Sequence, residues 1–462
     1  MDILLQWIYF IFLISILCIP TFLMFQAKNI YFNIIETLVK SFYIGFFQFF
    51  LTGLVVFLCK IPVNLWGWGL VYLIHISITF VLWNSIKNHD KANKMEFFVI
   101  KGKTFWLFIC LISIVLILYL FQTIRKTEII GDSCFFWFVK GWTFYNTHDI
   151  YIFQFLHGNS YPLLIPLIYN FFIQMNCGLG IASYSGLLFL GAILLTLTEG
   201  WTKTGKYSVV LGIPICVFLP ILFREHIYES YADIPLSFVY YMSLLTISDT
   251  LFERRSSYPA MILLCVIPMI KSNGQYLFLL CFFISVVFMF VRDTKINKHI
   301  PMLSRLFGLS FGLIIVNKAI MMLLNVESWI TKIPLEVLKN EIIHTTNPFL
   351  SYWNKLIPSI KYFFELTTSV PSFSIFLMPL IALSIFSLLK TRERFLLFNV
   401  FSVIFFTVCV IYVMIENAWR KWWYDTGYWR MLVVTAPSIV GFLYFSTNEF
   451  LYKLIKSFKI TA

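Results

Sequence analysis

Apolar runs of about 17 to 22 residues recur along almost the whole chain, and each is long enough to cross a hydrocarbon layer of roughly 30 Å as a helix. The chain has 462 residues, of which 60% are apolar and only 12% are charged. A soluble domain carries about a quarter charged residues, so this composition is unfavourable in water. The sequence therefore predicts an all-α, polytopic transmembrane helical bundle.

The apolar runs predict about 13 membrane spans. A further apolar piece, 161–175, is short and contains Pro162 and Pro166. We predict that this piece is re-entrant or interfacial and does not cross the membrane. The predicted spans are 4–24, 42–58, 62–83, 104–121, 179–198, 207–223, 235–248, 258–270, 275–291, 306–324, 373–389, 395–414 and 431–445.

The chain has a formal net charge of +13. An excess of lysine and arginine on cytoplasmic loops accounts for such a charge in a membrane protein, so no nucleic-acid partner is expected. The main basic loops all lie in the cytoplasm only if 161–175 does not cross, and the amino terminus is then outside. In this topology four polar stretches lie outside the cell, and we predict that the function lies on this non-cytoplasmic face. The four stretches are 122–160, 224–233, 325–372 and 416–430.

Several motifs of known chemistry are absent from the sequence. The nine cysteines form no CxxC pair and no zinc-like spacing. There is no P-loop, no GxGxxG after a strand, no HExxH, and no DxD-type pair on a cytoplasmic loop for a nucleotide sugar. The sequence indicates no metal and no cofactor. An enzyme of this kind would have to use a substrate available on the far side of the membrane.

Asp132 is the first candidate for chemistry, since it follows the fourth predicted span and precedes an aromatic stretch with Trp137 and Lys140. A carboxylate held against the interface by aromatic rings is partly desolvated, which raises its basicity toward that of a general base. Lys140 lies about two helical turns further on, where it can contact a phosphate. The alternative is that Asp132 only caps the following helix.

A second group of ionisable residues lies in the polar stretch 224–233, which includes Glu229 and Asp233. This stretch has more carboxylate and imidazole groups than a short connector requires. Asp233 directly precedes Ile234 and Pro235 at the start of a predicted helix, where a carboxylate is also a good cap. Capping and function are compatible at this position.

Two basic residues are candidates for contact with an anion. Lys271 separates two closely spaced helices, and a lysine near the bilayer centre costs about 2.5–3.5 kcal/mol unless it finds an anionic partner such as a lipid phosphate. Snorkelling to the interface is the alternative. Arg430 heads the last predicted span within an aromatic stretch and suits a phosphate. An aromatic belt at the membrane boundary is the alternative for its neighbours.

Four short motifs occur in one order between about Thr104 and Val291. Their pattern resembles the GT-C class of membrane glycosyltransferases, and within it the uncharacterised bacterial branch near the aminoarabinose and mannosyl transferases. Two positions depart from the family pattern: Gly158-Asn159-Ser160 replaces His-Pro-Asp, and Asn273 replaces a glutamate. The motifs are Asp132 with Trp137 and Lys140, the run Tyr161-Pro162-Leu163-Leu164-Ile165-Pro166, the run Tyr231-Ala232-Asp233-Ile234-Pro235-Leu236, and the turn Lys271-Ser272-Asn273-Gly274.

The resemblance implies an inverting transfer of a sugar from a polyprenyl-phosphate donor to an acceptor hydroxyl on the non-cytoplasmic face. The acceptor is a glycan, a lipid or a protein, and the location is the bacterial plasma membrane. It also implies a catalytic core at 104–291, preceded by helices at 1–103 outside the usual core and followed by a region at 292–462. The implied catalytic residues are Asp132, Asp233 and Glu229, the donor-phosphate residues are Lys271, Arg430 and Lys140, and the substrate pocket comprises Trp137, Tyr161, Tyr231 and Asn273.

Two other functions are compatible with the sequence. A flippase or other transporter of lipid-linked glycans would line a path through the bilayer with charged residues at mid-depth. The ionisable residues instead cluster at one face, with only Lys318 well inside a predicted span, which favours an enzyme. A membrane scaffold without chemistry would tolerate simultaneous substitution of Asp132, Asp233 and Lys271.

Overall fold

The structure is a computed structural model that describes about three fifths of the chain. Asp132, Glu229, Tyr231 and Arg430 lie outside the described residues, as do the predicted spans 207–223 and 373–389 and nearly all of 104–121. The described residues are 3–28, 30, 34–85, 113, 133–156, 161–204, 232–252, 256–292, 296–324, 326, 354, 357, 361, 391–414, 433–448 and 453.

Helices make up nearly all of this described part, and no strand occurs in it. A π-helical turn at Ser133–Phe138 and a 3-10 turn at Ile150–Phe155 flank a short α-helix. The α-helices are α1 Ile3–Ala27, α2 Ile34–Leu58, α3 Leu65–Ser85, α4 Val139–Thr147, α5 Leu164–Gln174, α6 Gly178–Thr204, α7 Asp233–Phe252, α8 Tyr258–Ile270, α9 Gly274–Arg292, α10 Ile296–Leu323, α11 Thr391–Met414 and α12 at 433–448.

Seven of these helices are long and apolar enough to cross a membrane: α1, α2, α3, α6, α7, α9 and α10. Helix α7 is buried along its whole length, whereas α3 and α10 expose most of theirs. Large apolar side chains are exposed on the outer helices; Trp66 is 88% exposed and Leu323 is 82% exposed. So much exposed apolar surface is unfavourable in water but suits hydrocarbon. The chain is an all-α helical membrane protein.

The short apolar piece forms helix α5, Leu164–Gln174. Its 11 residues span about 16 Å, roughly half of the hydrocarbon thickness. It is therefore too short to cross alone, as is the 13-residue α8, which was predicted as a span; that 161–175 is re-entrant or interfacial stays a prediction. Every residue from Leu164 to Phe172 is buried, because α5 packs against α2, α4 and α6 within the bundle. The helices α1 to α3 likewise share one apolar core with the rest of the bundle.

Helix α7 defines two ends of the bundle, which we name the Asp233 end and the Asp249 end. Lys40, near the start of α2, contacts Asp249. Leu58, at the other end of α2, accepts a hydrogen bond from Tyr151 in the 3-10 turn. Helix α2 therefore runs from the Asp249 end to the Asp233 end, and the segments around α4 lie at the latter.

A buried ionic network holds the Asp249 end together, and the sequence did not predict it. The ammonium Nζ of Lys40 lies 2.6 Å from both Glu36 Oε1 and Asp249 Oδ2. Arg392 Nη2 lies 3.4 Å from Asp249 Oδ1 and 3.0 Å from Glu199 Oε2. The network thus joins α2, α6, α7 and α11.

Two predicted helix bounds near this network were wrong. Helix α2 begins at Ile34 rather than at residue 42, and α7 continues past 248 to Phe252. Glu36, Lys40 and Asp249 are therefore helical and buried rather than parts of polar loops. A polar residue can extend a buried helix when its charge is paired within the protein. The prediction that ionisable groups cluster at one face alone was wrong.

Replacing Lys40 by methionine is expected to lower the free energy of unfolding by about 3–5 kcal/mol, because the buried carboxylates of Glu36 and Asp249 lose their shared cation. Thermal unfolding in detergent, followed by circular dichroism, measures the loss. Lys318→Met is the matched control, since Lys318 is exposed on α10. Equal losses in the two variants would contradict the role assigned to Lys40.

Candidate functional site

A buried ion pair marks the Asp233 end of the bundle. Lys271 Nζ lies 2.6 Å from Asp233 Oδ1, and the two residues are only 5% and 7% exposed. Asp233 is in the first turn of α7, where the free backbone N–H groups also favour a negative charge. The anionic partner that Lys271 requires is thus supplied by the protein, and the lysine does not snorkel to the surface.

The chain positions Lys271 by ending α8 abruptly. Pro268 lies in the last turn of α8, and Lys271 itself is extended, with φ −151° and ψ 152°. An extended residue directs its side chain away from the helix axis. A tight turn follows, in which Gly274 N donates to Lys271 O at 2.8 Å. The turn therefore places the Lys271 ammonium beside the start of α7.

Gly274 is required by the packing of this turn. A Cβ atom at this position would overlap the carbonyl oxygen of Ile267 in α8. The neighbouring atom is backbone, so it cannot move without shifting α8. Asn273 directly precedes α9, and its carbonyl oxygen accepts from Tyr276 N at 3.1 Å. The Lys-Ser-Asn-Gly motif therefore has a local structural reason, namely that two antiparallel helices join with almost no loop.

A second group of predicted site residues meets at the π-helical turn. The Tyr161 ring lies 5.4 Å from the ring of Trp137 and 5.1 Å from that of Phe136. Lys140 Nζ lies 5.9 Å from the centroid of the Tyr161 ring, within range of a cation–π interaction. We name Phe136, Trp137, Lys140 and Tyr161 the aromatic cluster. Three of its members were predicted to share a site, and they do lie together.

Asn170 anchors α4, the helix that carries Lys140, and sequence reasoning missed it. Its Nδ2 donates to the carbonyl of Gly141 at 3.2 Å, and its Oδ1 accepts from Trp68 Nε1 at 2.9 Å. Gly141 lets α4 approach α5 closely, since a Cβ there would lie 2.8 Å from Pro166 O. An asparagine within the apolar run 161–175 was the signal available in the sequence, because a buried amide needs fixed partners.

Burial changes the chemistry of Lys140, which lies in α4, outside the seven candidate spans. Its side chain is fully buried, and loss of hydration lowers the pKa of its ammonium to about 7 because burial disfavours the charged form. Lys140 is therefore an amine whose charge changes near neutral pH.

The described site residues thus form two groups, the Asp233–Lys271 pair and the aromatic cluster. The later part of helix α12 lies at the Asp249 end, where Tyr444 OH donates to Leu197 O and Arg392 lies over the Phe445 ring. Its beginning therefore points toward the Asp233 end. It begins three positions after Arg430 in the sequence. No group of three or more His, Cys, Asp or Glu residues suited to a metal occurs among the described residues.

Comparison with known proteins adds no family assignment. No protein-family model, no curated protein and no solved structure matches this chain. The functional argument therefore rests on the residues of this chain and on their geometry.

Gly274→Ala is expected to displace the turn between α8 and α9 and to separate Lys271 from Asp233, with a loss of stability of about 3–5 kcal/mol. The melting temperature of the purified protein measures the effect. Gly312→Ala is the matched control, since a Cβ at Gly312 in α10 would meet nothing within 4 Å. A Gly274→Ala protein as stable as the control would show that the close approach is not required.

Proposed function

We propose that this protein is an inverting membrane glycosyltransferase of the GT-C type, which moves a sugar from a polyprenyl-phosphate donor to an acceptor hydroxyl. The single observation that carries the proposal is the buried Asp233–Lys271 pair at the Asp233 end. A desolvated cation held on a rigid turn is suited to stabilise the charge that develops on a leaving phosphate, because its position costs no reorganisation during reaction.

The proposed reaction is a direct displacement at the anomeric carbon of the sugar. The acceptor oxygen forms a bond to the anomeric carbon of the sugar while the bond from that carbon to the phosphate oxygen breaks. The phosphate leaves with the electron pair, and the proton of the acceptor hydroxyl passes to a carboxylate base. In this proposal Asp132 is the base, with Glu229 at the same site.

Asp233 receives a narrower role than the sequence suggested. Its carboxylate is already engaged by the Lys271 ammonium at 2.6 Å, so it is suited to hold that ammonium in place. We therefore assign Asp233 as the positioning residue for Lys271. Lys271, Arg430 and Lys140 would contact the donor phosphate, and Trp137, Tyr161, Tyr231 and Asn273 would line the sugar pocket, where aromatic faces suit a sugar ring.

The wider architecture is part of the same proposal. It comprises about 13 spans, with 161–175 re-entrant, the catalytic core at 104–291 and the Asp233 end facing outward from a bacterial plasma membrane. The directions of α2 and α7 support one part of it, because they bring the start of α7 and the segment around α4 to one end of the bundle.

A transporter of lipid-linked glycans is the second candidate, and the ionic network is the observation that favours it. Charges buried within the bundle are typical of proteins that move ions or polar substrates. The network, however, lies at the Asp249 end rather than at mid-depth, where transporters place their sites. Movement of a fluorescent lipid-linked sugar across proteoliposomes, without sugar transfer, would support the transporter.

The transferase proposal predicts that Asp132→Asn abolishes transfer and that Lys271→Met lowers kcat by about 10²–10³, the effect of losing one group that stabilises developing charge. Transfer of a radiolabelled sugar from polyprenyl phosphate to membrane acceptors measures both. Asp149→Asn is the control, since Asp149 is exposed and its Oδ1 only accepts from Tyr151 N. Full activity of the Asp132→Asn protein, expressed at the wild-type level, would rule out the assigned base.

Lys140 predicts a particular pH dependence for the binding of polyprenyl phosphate, the monoester that is left after sugar transfer. Its ammonium is charged below a pKa of about 7 and neutral above it, so the affinity for a polyprenyl phosphate should fall as the pH rises from 6 to 8. Arginine stays charged throughout this range. Lys140→Arg should therefore lack that fall and retain only the titration of the phosphate itself near about pH 6. Identical pH profiles in the two proteins would contradict a Lys140–phosphate contact.

A further inference from the structure

An apolar cavity of about 450 Å³ lies between α1, α2 and α6, far along the bundle from the turn that holds Lys271. Its walls are the stretches from Ile11 to Phe22 on α1, from Leu38 to Phe42 on α2, and from Leu187 to Leu194 on α6. No residue of the Asp233–Lys271 pair or of the aromatic cluster lines it. The proposed transferase chemistry therefore leaves this cavity unexplained.

The polar groups in the wall are already satisfied. Ser15 Oγ donates to Ile11 O at 2.7 Å, and Ser41 Oγ donates to Thr37 O at 2.5 Å, both within their own helices. The thiol of Cys18 contacts Phe42 O at 3.7 Å. A buried water needs two or more polar partners, which this wall does not offer. The cavity is thus suited to hydrocarbon and not to water or a polar ligand.

The mouth of the cavity opens sideways out of the bundle. Ile11, Ile19 and Leu38 line it and are 44%, 49% and 54% exposed. These side chains lie on helices that cross the membrane, so the medium outside the mouth is lipid. Any chain from the surrounding bilayer therefore reaches the cavity without passing through water.

Depth and width decide which occupant fits. The stretch from Ile11 to Phe22 rises about 16 Å, close to half of the hydrocarbon core, which is one leaflet. The cavity begins near the level of Lys40 and extends toward the middle of the bundle. A volume of about 450 Å³ along this stretch of α1 admits one hydrocarbon chain. A helix, with its diameter of about 10 Å, is too wide.

We propose that this cavity binds one acyl chain of a membrane phospholipid from the leaflet at the Asp249 end. The bound chain would fill the contact between α1 and the α2–α6 pair, where protein atoms alone leave a gap. Filling such a gap restores the dispersion contacts that an empty cavity loses. The lipid is then a structural component of the N-terminal helices, independent of the transferase site.

The test uses the full-length protein in nanodiscs of phosphatidylethanolamine and phosphatidylglycerol that contain a phospholipid with a diazirine in its acyl chain. After illumination, mass spectrometry maps the adducts. Labelling of the cavity stretches of α1 and α6 is expected to exceed, several-fold, labelling around Phe283, which is 64% exposed on α9. Equal labelling of both regions would mean ordinary boundary lipid and would overturn the proposal.

Two variants and a second probe test whether the labelling comes from the cavity and from a phospholipid. Leu190→Trp fills the cavity, and Ile19→Trp blocks its mouth at a position that tolerates bulk; both should lower cavity labelling while labelling near Phe283 stays unchanged. Phe283→Trp is the matched control and should leave cavity labelling unchanged. Unaltered labelling in both filled variants would overturn the proposal. Preferential labelling by a diazirine-bearing polyprenyl phosphate would assign the cavity to the prenyl chain instead and would equally overturn it.

Discussion

Burying ionisable groups among apolar helices is the constraint on which this bundle depends. Helix α7 is buried along its whole length, yet it carries a carboxylate at each end, about 24 Å apart. Asp233 pairs with Lys271, and Asp249 pairs with Lys40 and Arg392. A slip of α7 by one turn would break both sets of pairs at once. The ion pairs thus fix the depth of α7 relative to α2, α8 and α11.

The two ends meet this constraint in different ways. At the Asp249 end, the charges come from four helices that are distant in sequence and interlock them. At the Asp233 end, one cation sits on a turn with almost no loop, and glycine is the residue that fits beside it. The first arrangement is suited to holding helices together. The second offers a rigidly held charge, which is the more suitable starting point for chemistry.

Close approach of helices is the second organising feature, and glycine makes it possible at several contacts. Gly141 lets α4 meet α5, where Asn170 then ties the two helices and α3 together. Gly441 lies against the Tyr241 ring, so that α12 packs directly on α7. The close contact at Gly141 excludes water from the adjacent Lys140, and this burial lowers the pKa of the Lys140 ammonium to about 7.

The sequence by itself determined the membrane class, the all-α fold and most helix positions, because the length of an apolar run is a local property. Helix α8 was predicted at its observed bounds, 258–270. The sequence also indicated that Lys271 needs an anionic partner, and it predicted a site with Trp137, Lys140 and Tyr161, whose side chains lie together. Only the tertiary structure decided that this partner is Asp233, that Asn170 supports the site, and that α2 begins at Ile34. From the sequence, Glu36, Lys40 and Asp249 are expected in loops, because pairing between residues some two hundred positions apart leaves no local pattern.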